Sequence, residues 1–182
     1  WQGVIPSTGA TDRGESVVVG RHYRTVATVQ GTGGWILTLH DLEIRGDDIW
    51  VTANRNVPMN LTSYGGANNG ALGDSAVQEY SLKTGKLLYS WDAYDHTPLS
   101  ESHALPPTNG FPWDPYHVNS IDLEGNGKLL VSMRDTWAAY VVDLATGKIE
   151  WTRGGKDSSF RFAANADFQW QHDVVAGRGG DV

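Results

Sequence analysis

Val77-Gln78-Glu79-Tyr80-Ser81-Leu82-Lys83-Thr84-Gly85-Lys86-Leu87-Leu88-Tyr89-Ser90-Trp91 can be laid on Ala139-Tyr140-Val141-Val142-Asp143-Leu144-Ala145-Thr146-Gly147-Lys148-Ile149-Glu150-Trp151. Both stretches turn at Leu-x-Thr-Gly-Lys and resume with an aromatic residue shortly after. Each reads as a β-hairpin, because the turn supplies glycine where a positive φ is needed. Gly20-Arg21-His22-Tyr23-Arg24-Thr25-Val26 is a looser third copy. A second repeat opens on histidine. His40-Asp41-Leu42-Glu43-Ile44 leads into Asp48–Ala53, His117-Val118-Asn119-Ser120-Ile121-Asp122 leads into Lys128–Met133, and His172-Asp173-Val174-Val175 begins a third.

Outward from these repeats, β-branched and aromatic runs continue between glycine-bearing turns. Strands are expected at Ser16–Val19, Tyr23–Val29, Trp35–Leu39, Ile49–Ala53, Val77–Leu82 and Leu87–Trp91. Further strands are expected at Val118–Leu123, Leu129–Met133, Ala138–Leu144 and Ile149–Thr152. No long window keeps a capped helical period. Hairpin upon hairpin at roughly 40–60 residues per unit is the pattern of β-propeller blades. The chain is therefore expected to be all-β, one partial propeller domain over residues 1–182 covering about three blades. With no initiator Met at Trp1 and no strand partner after Val182, it reads as a piece of a longer protein. Two insertions interrupt the period, Asn54–Ser75 and Asp92–Pro115; long loops on a regular scaffold usually carry function.

Composition narrows the function. The 182 residues are 40% hydrophobic and 19% charged, enough for a core and unlike a disordered chain. No apolar run reaches the roughly 18 residues of a membrane span. A formal net charge of -7 with only 14 Lys+Arg speaks against nucleic acid as a partner. Zero cysteines exclude disulfides, thiolate metal sites and cysteine nucleophiles. Eight Trp and 22 Gly point again to aromatic-rich β structure with tight turns.

In a propeller, the innermost strand of each blade lines a central channel. A histidine at the start of such a strand, once per blade, would ring the axis with imidazoles. His40, His117 and His172 are expected at that equivalent position. Arg134, at the far end of the Leu129–Met133 strand, and Asn119, two residues after His117 on the same face, would join them. Three imidazoles, a guanidinium and a carboxamide suit a tetrahedral oxyanion such as sulfate or phosphate. A neutral imidazole is also a competent nucleophile or base. The same histidines with Asp41 and Asp173 could bind zinc, but the local ligand spacing of common motifs is missing and no metal is expected. Trp50, Trp91 and Trp151 fit blade packing. Trp113 and Trp170 stand close enough before His117 and His172 to wall the channel and contact substrate. His22 reads as a turn residue, His96 and His103 as loop residues at the channel mouth.

Four blocks then resemble one family in order, together with His40-Asp41: Asp95-His96-Thr97-Pro98-Leu99-Ser100-Glu101-Ser102; Pro112-Trp113-Asp114-Pro115-Tyr116-His117-Val118-Asn119-Ser120; Arg153-Gly154-Gly155-Lys156; and Trp170-Gln171-His172-Asp173. They resemble the arylsulfotransferases, in the branch of actinobacteria and fungi. The resemblance implies a six-bladed propeller that moves a sulfuryl group from a phenolic sulfate ester to another phenol. It implies no nucleotide sulfate donor and no cofactor, small-molecule partners only, and an extracytoplasmic or secreted setting. Carried onto these residues, it implies His172 as a transiently sulfated nucleophile. His117 and Asn119 would contact the sulfuryl group, His117 also as acid for the leaving phenolate. Arg134 would hold the sulfuryl oxygens, and His40 would be the remaining channel histidine. The Asp143–Trp151 repeat also looks like that of quinoprotein dehydrogenases and of non-catalytic binding propellers, which is the alternative reading.

Overall fold

The computed structural model describes residues 2–3 and 14–177. Its described residues form antiparallel sheets with almost no helix. A small sheet pairs β1 (Gln2–Gly3), β2 (Glu15–Val19) and β3 (Thr25–Gln30) in that order. A second sheet has the order β4 (Ile36–Arg45), β5 (Asp48–Met59), β6 (Gly70–Ser81) and β7 (Leu87–Asp92). A third repeats it with β8 (Val118–Glu124), β9 (Lys128–Met133), β10 (Ala138–Asp143) and β11 (Ile149–Gly154). Four-stranded meanders of this kind, packed face to face in series, are consistent with part of a β-propeller. No helix among the described residues is long and apolar enough to cross a membrane.

The repeated hairpins obey one turn chemistry. Gly85 and Gly147 take φ of 67° and 70°, and their N–H groups donate to Ser81 O at 2.8 Å and Asp143 O at 2.7 Å. Lys86 O and Lys148 O each accept the closing bond at 2.9 Å. A register shift follows at the same place in both, between Glu79/Tyr80 and Val141/Val142. His22 lies in the shorter turn of the β2–β3 hairpin.

Residues 49–53 of β5 and strand β9 are buried on both faces, so their side chains build a core on either side. Ile49, Val51 and Ala53 pack with Val29, Trp35 and Leu37 toward the first sheet. Trp50 turns the other way, into a larger core with Trp91, Ile121, Leu129, Val131 and Tyr140 between the two four-stranded sheets. Trp91, from the outermost strand, donates its indole N–H to Gly147 O at 2.9 Å, tying one sheet to the turn of the next. At the inner edge, carboxylates do the tying. Asp41 and Glu43 of β4 accept the N–H groups of Ile121 and Leu123 of β8, both at 2.8 Å. One step on, Ser120 and Asp122 of β8 accept the N–H groups of Val174 and Ala176, at 2.9 and 2.8 Å.

Two expectations change here. Asn54–Ser75 is not a loop: β5 and β6 stay paired from Asn54↔Ser75 out to Met59↔Gly70. β4 pairs with β5 only as far as Asn54, so among the described residues Pro58 faces no strand on that side, where its missing N–H costs no ladder bond. His40 lies within β4 rather than at a strand start. The Asp92–Pro115 insertion does remain mostly irregular, with one short helix, α1 (Ala93–His96). It is anchored where Tyr116 Oη donates to Thr97 O at 2.7 Å and Lys156 Nζ donates to Ser100 O at 2.7 Å.

Candidate active site

The site grows from interruptions of the ladders. Between the pairs Leu37↔Ala53 and Leu42↔Val51, four residues of β4 oppose the single residue Thr52 of β5. This bulge carries His40, whose Nδ1 lies 3.4 Å from Thr38 Oγ1. On β8 the register slips between Val118 and Ser120, leaving Asn119 as the extra residue. The bonds along the inner edge fix the equivalence. Asp41 matches Ser120 and Glu43 matches Asp122, so His40 falls opposite Asn119, and the same step places His172 there too. His117 is thus not the register equivalent of His40. It stands two residues earlier, just before β8, with a left-handed backbone at φ 53°.

That displacement still delivers its ring. The imidazoles of His40 and His117 meet edge to face with centroids 4.7 Å apart, and those of His40 and His172 lie 6.1 Å apart. Burial holds the proton affinity of His40 below the ordinary imidazole value, and the neighbouring His117 and His172 push it the same way. Asp114 receives the backbone N–H of His117 at 2.9 Å and lies 2.6 Å from its Nδ1. A carboxylate there accepts Nδ1–H, which fixes the tautomer and leaves Nε2 to give or take a proton. Arg134 follows β9 in a 3-10 turn, and its backbone N–H donates to His117 O at 3.1 Å. Asp135 takes Nε and one terminal nitrogen of its guanidinium at 2.9 and 3.2 Å. That hydrogen-bonded carboxylate holds Arg134 firmly protonated.

The third segment is pinned by amides. Asn119 is fully buried, and its side-chain N–H donates to Gln171 O at 2.8 Å. Gln171 shares its own amide hydrogens among Ser132 Oγ at 3.2 Å, Met133 O at 3.0 Å and Ala138 O at 3.0 Å. The residue before His172 is thereby held from β8, β9 and β10. Strain gathers at the same place. Seven non-glycine residues among those described have positive φ, and four of them are His117, Trp137, Trp170 and Asp173. Each such position costs on the order of 1–2 kcal/mol and persists only where the surroundings impose it.

Other expected site residues lie elsewhere. Trp113 is 2% exposed in the core, its ring tilted against that of Tyr64 and its indole N–H donating to Ala104 O at 3.1 Å, so it offers no face to a ligand. Trp170 is exposed, with its ring 6.4 Å from that of Trp137. His96 is not at the channel mouth but stacks on Trp91 at 5.0 Å. His103 stacks on Trp137 at 3.6 Å, and its backbone N–H donates to Asp135 O at 2.7 Å, beside Arg134. Asp114 and Gln171 are positioning residues that sequence reasoning passed over. Both lie inside the quoted blocks, which was the available signal.

For a metal, the described residues bring together only Asp114, His117 and Asp135, with ligand atoms within 4.8 Å of one another. Asp114 is already committed to His117 and Asp135 to Arg134, so a cation would have to displace both. The zinc set considered from sequence is not gathered in this way. The cluster instead presents imidazole and guanidinium donors, a setting for an anion. A family model described as arylsulfotransferase (ASST) matches residues 14–178. The chain belongs to the arylsulfotransferase family. No curated protein matches it significantly. Membership assigns sulfotransferase function in general, and the four blocks quoted from the sequence all fall in the matched region of this arylsulfotransferase chain.

Proposed function

We propose that the cluster of His40, His117, His172 and Arg134 transfers a sulfuryl group from a phenolic sulfate ester to a phenol, by way of a sulfo-histidine and without a nucleotide sulfate donor. The observation that carries this reading is the convergence of three imidazoles and a guanidinium from β4, the residue before β8, the turn after β9 and the 171–173 segment. In the first half-reaction the His172 nitrogen attacks sulfur, the N–S bond forms and the S–O bond to the phenol breaks. The departing phenolate takes a proton from His117. In the second half, the acceptor phenol gives its proton to His117, its oxygen attacks sulfur, and the N–S bond breaks. Charge in the transition state sits on the peripheral oxygens and the leaving oxygen. The remaining terminal nitrogen of Arg134 and the neutral ring of His40 are suited to donate to those oxygens. A positioned acid for the phenolate contributes typically about 10²–10⁴-fold. Asn119 acts in this scheme through Gln171, by holding the backbone that carries His172.

The test uses the complete protein with 4-nitrophenyl sulfate and no nucleotide. Nitrophenol release that multiplies when a second phenol is added, and that His172→Asn abolishes, is the expected result. No release from folded protein, or release only with a nucleotide sulfate, would overturn it.

A further inference from the structure

The turn that presents Arg134 has a second use. Trp137 closes it, donating its backbone N–H to Arg134 O at 3.2 Å, in a left-handed conformation with φ 56°. The indole of Trp137 and the imidazole of His103 lie nearly parallel, 7° apart in plane, and form one flat slab. Beside it is a cavity of about 210 Å³, lined by His103, Trp137, Gly154, Phe162, Phe168 and Gln169 among others. Phe162 and Phe168 meet edge to face at 5.8 Å on its wall. Gly154 is required there: a Cβ would stand 2.5 Å from Trp137 O and 2.7 Å from Phe168. The cavity is therefore built from the Arg153-Gly154-Gly155-Lys156 block and from His103, neither of which the transfer chemistry uses.

Two features mark it as a ligand site. Its lining joins two kinds of aromatic surface, the stacked His103–Trp137 pair and the edge-to-face Phe162–Phe168 pair, with Asp167 and Gln169 beside them. Its volume also suits one aromatic ring with a small polar substituent, being larger than the roughly 150 Å³ that takes benzene. It adjoins the turn that presents Arg134, where Trp137 N–H donates to Arg134 O and His103 N–H to Asp135 O, and Gln169 lies three residues before His172.

We infer that this cavity seats the aromatic ring of the phenolic substrate between the His103–Trp137 slab and the Phe162–Phe168 pair, with its oxygen end at the Arg134 side. Aromatic rings favour offset and edge-to-face neighbours, and both kinds of surface are present. The inference rests on the sulfuryl-transfer reading for what the ring is attached to. It is tested by titration calorimetry of the complete protein with 4-nitrophenol, and with cyclohexanol as the non-aromatic control. Phe168→Ala removes one wall. Gln169→Trp, at an exposed rim position, fills the space without touching the core. Nitrophenol is expected to bind more tightly than cyclohexanol, and both variants are expected to weaken it about tenfold. Unchanged nitrophenol binding in Gln169→Trp, or equal binding of the two probes, would overturn the inference. If binding behaves as expected but the wild type releases no nitrophenol from 4-nitrophenyl sulfate, the cavity stands and the transfer reading falls. If release occurs and binding ignores both substitutions, the reverse holds.

Discussion

The two four-stranded sheets share a plan and part company at one connection. Between the second and third strands, Ala53↔Ala76 in one sheet corresponds to Met133↔Ala138 in the other. Past that rung the first sheet runs on as the 54–59/70–75 ribbon, with Arg55 bound to Asp74 and Asp92 at 2.9 and 3.1 Å and lying 4.3 Å from the Trp35 ring centroid. The second sheet turns back at once and presents Arg134. One arginine is a strut over a buried carboxylate, whereas the other stands beside three imidazoles. The repeat thus supplies the scaffold, and its departures supply the chemistry.

The largest expected effect separates these arginines. Arg134→Ala should lower kcat/KM by about 10²–10³, as losing a charged donor to transition-state oxygens does, with melting little changed. Arg55→Ala should do the opposite. It leaves the buried Asp74 carboxylate uncompensated and should cost about 2–3 kcal/mol by denaturant titration, with activity per folded molecule retained. Equal losses of activity in both would break the comparison. Next comes Asp114, for which the first sheet has no counterpart. Asp114→Asn should lower kcat by about 10² and change the shape of the pH–rate profile, with KM for the donor nearly kept. A loss seen only in stability would reduce Asp114 to a loop anchor.

The matched glycines sharpen the scaffold side. Gly85→Ala meets open space and should cost about 1 kcal/mol through its positive φ alone. Gly147→Ala adds a contact at 3.2 Å from His96 Nε2 and should cost more, about 1–2 kcal/mol, by melting. The smallest effect concerns pH. His40 binds a proton less readily in the folded state than the ordinary value of 6.5. Below that pH the unfolded chain takes up the proton first, so stability is full above about 6.5 and declines as pH falls toward the lower folded value. His40→Asn should flatten this part of the stability curve, and an unchanged slope would contradict the assigned burial.

Much of this was legible in the sequence because turn chemistry is local. Leu-x-Thr-Gly-Lys at Leu82–Lys86 and Leu144–Lys148 dictates the hairpins, and the hairpins dictate the sheets. The ribbon at 54–75 was not legible, because Pro58 and the glycines of its partner read as breakers. Pro58 is tolerable because β4, among the described residues, stops pairing at Asn54 and asks no N–H of it. The histidines could be found, but their register could not. The long bulge in β4 and the left-handed His117 shift the count by two residues, and neither leaves a mark in composition or period. Trp113 misled for a related reason: nearness to His117 along the chain is no guide once the intervening turn sends the indole into the core.

The most direct measurement is peptide mass spectrometry on the complete protein after incubation with an aryl sulfate and no acceptor, the digest kept alkaline to preserve an acid-labile N–S bond. One added sulfuryl group on the peptide carrying His172 is the expected result. An adduct on His117 or His40 instead, or none while phenol is released, would contradict the assignment of His172 as the nucleophile.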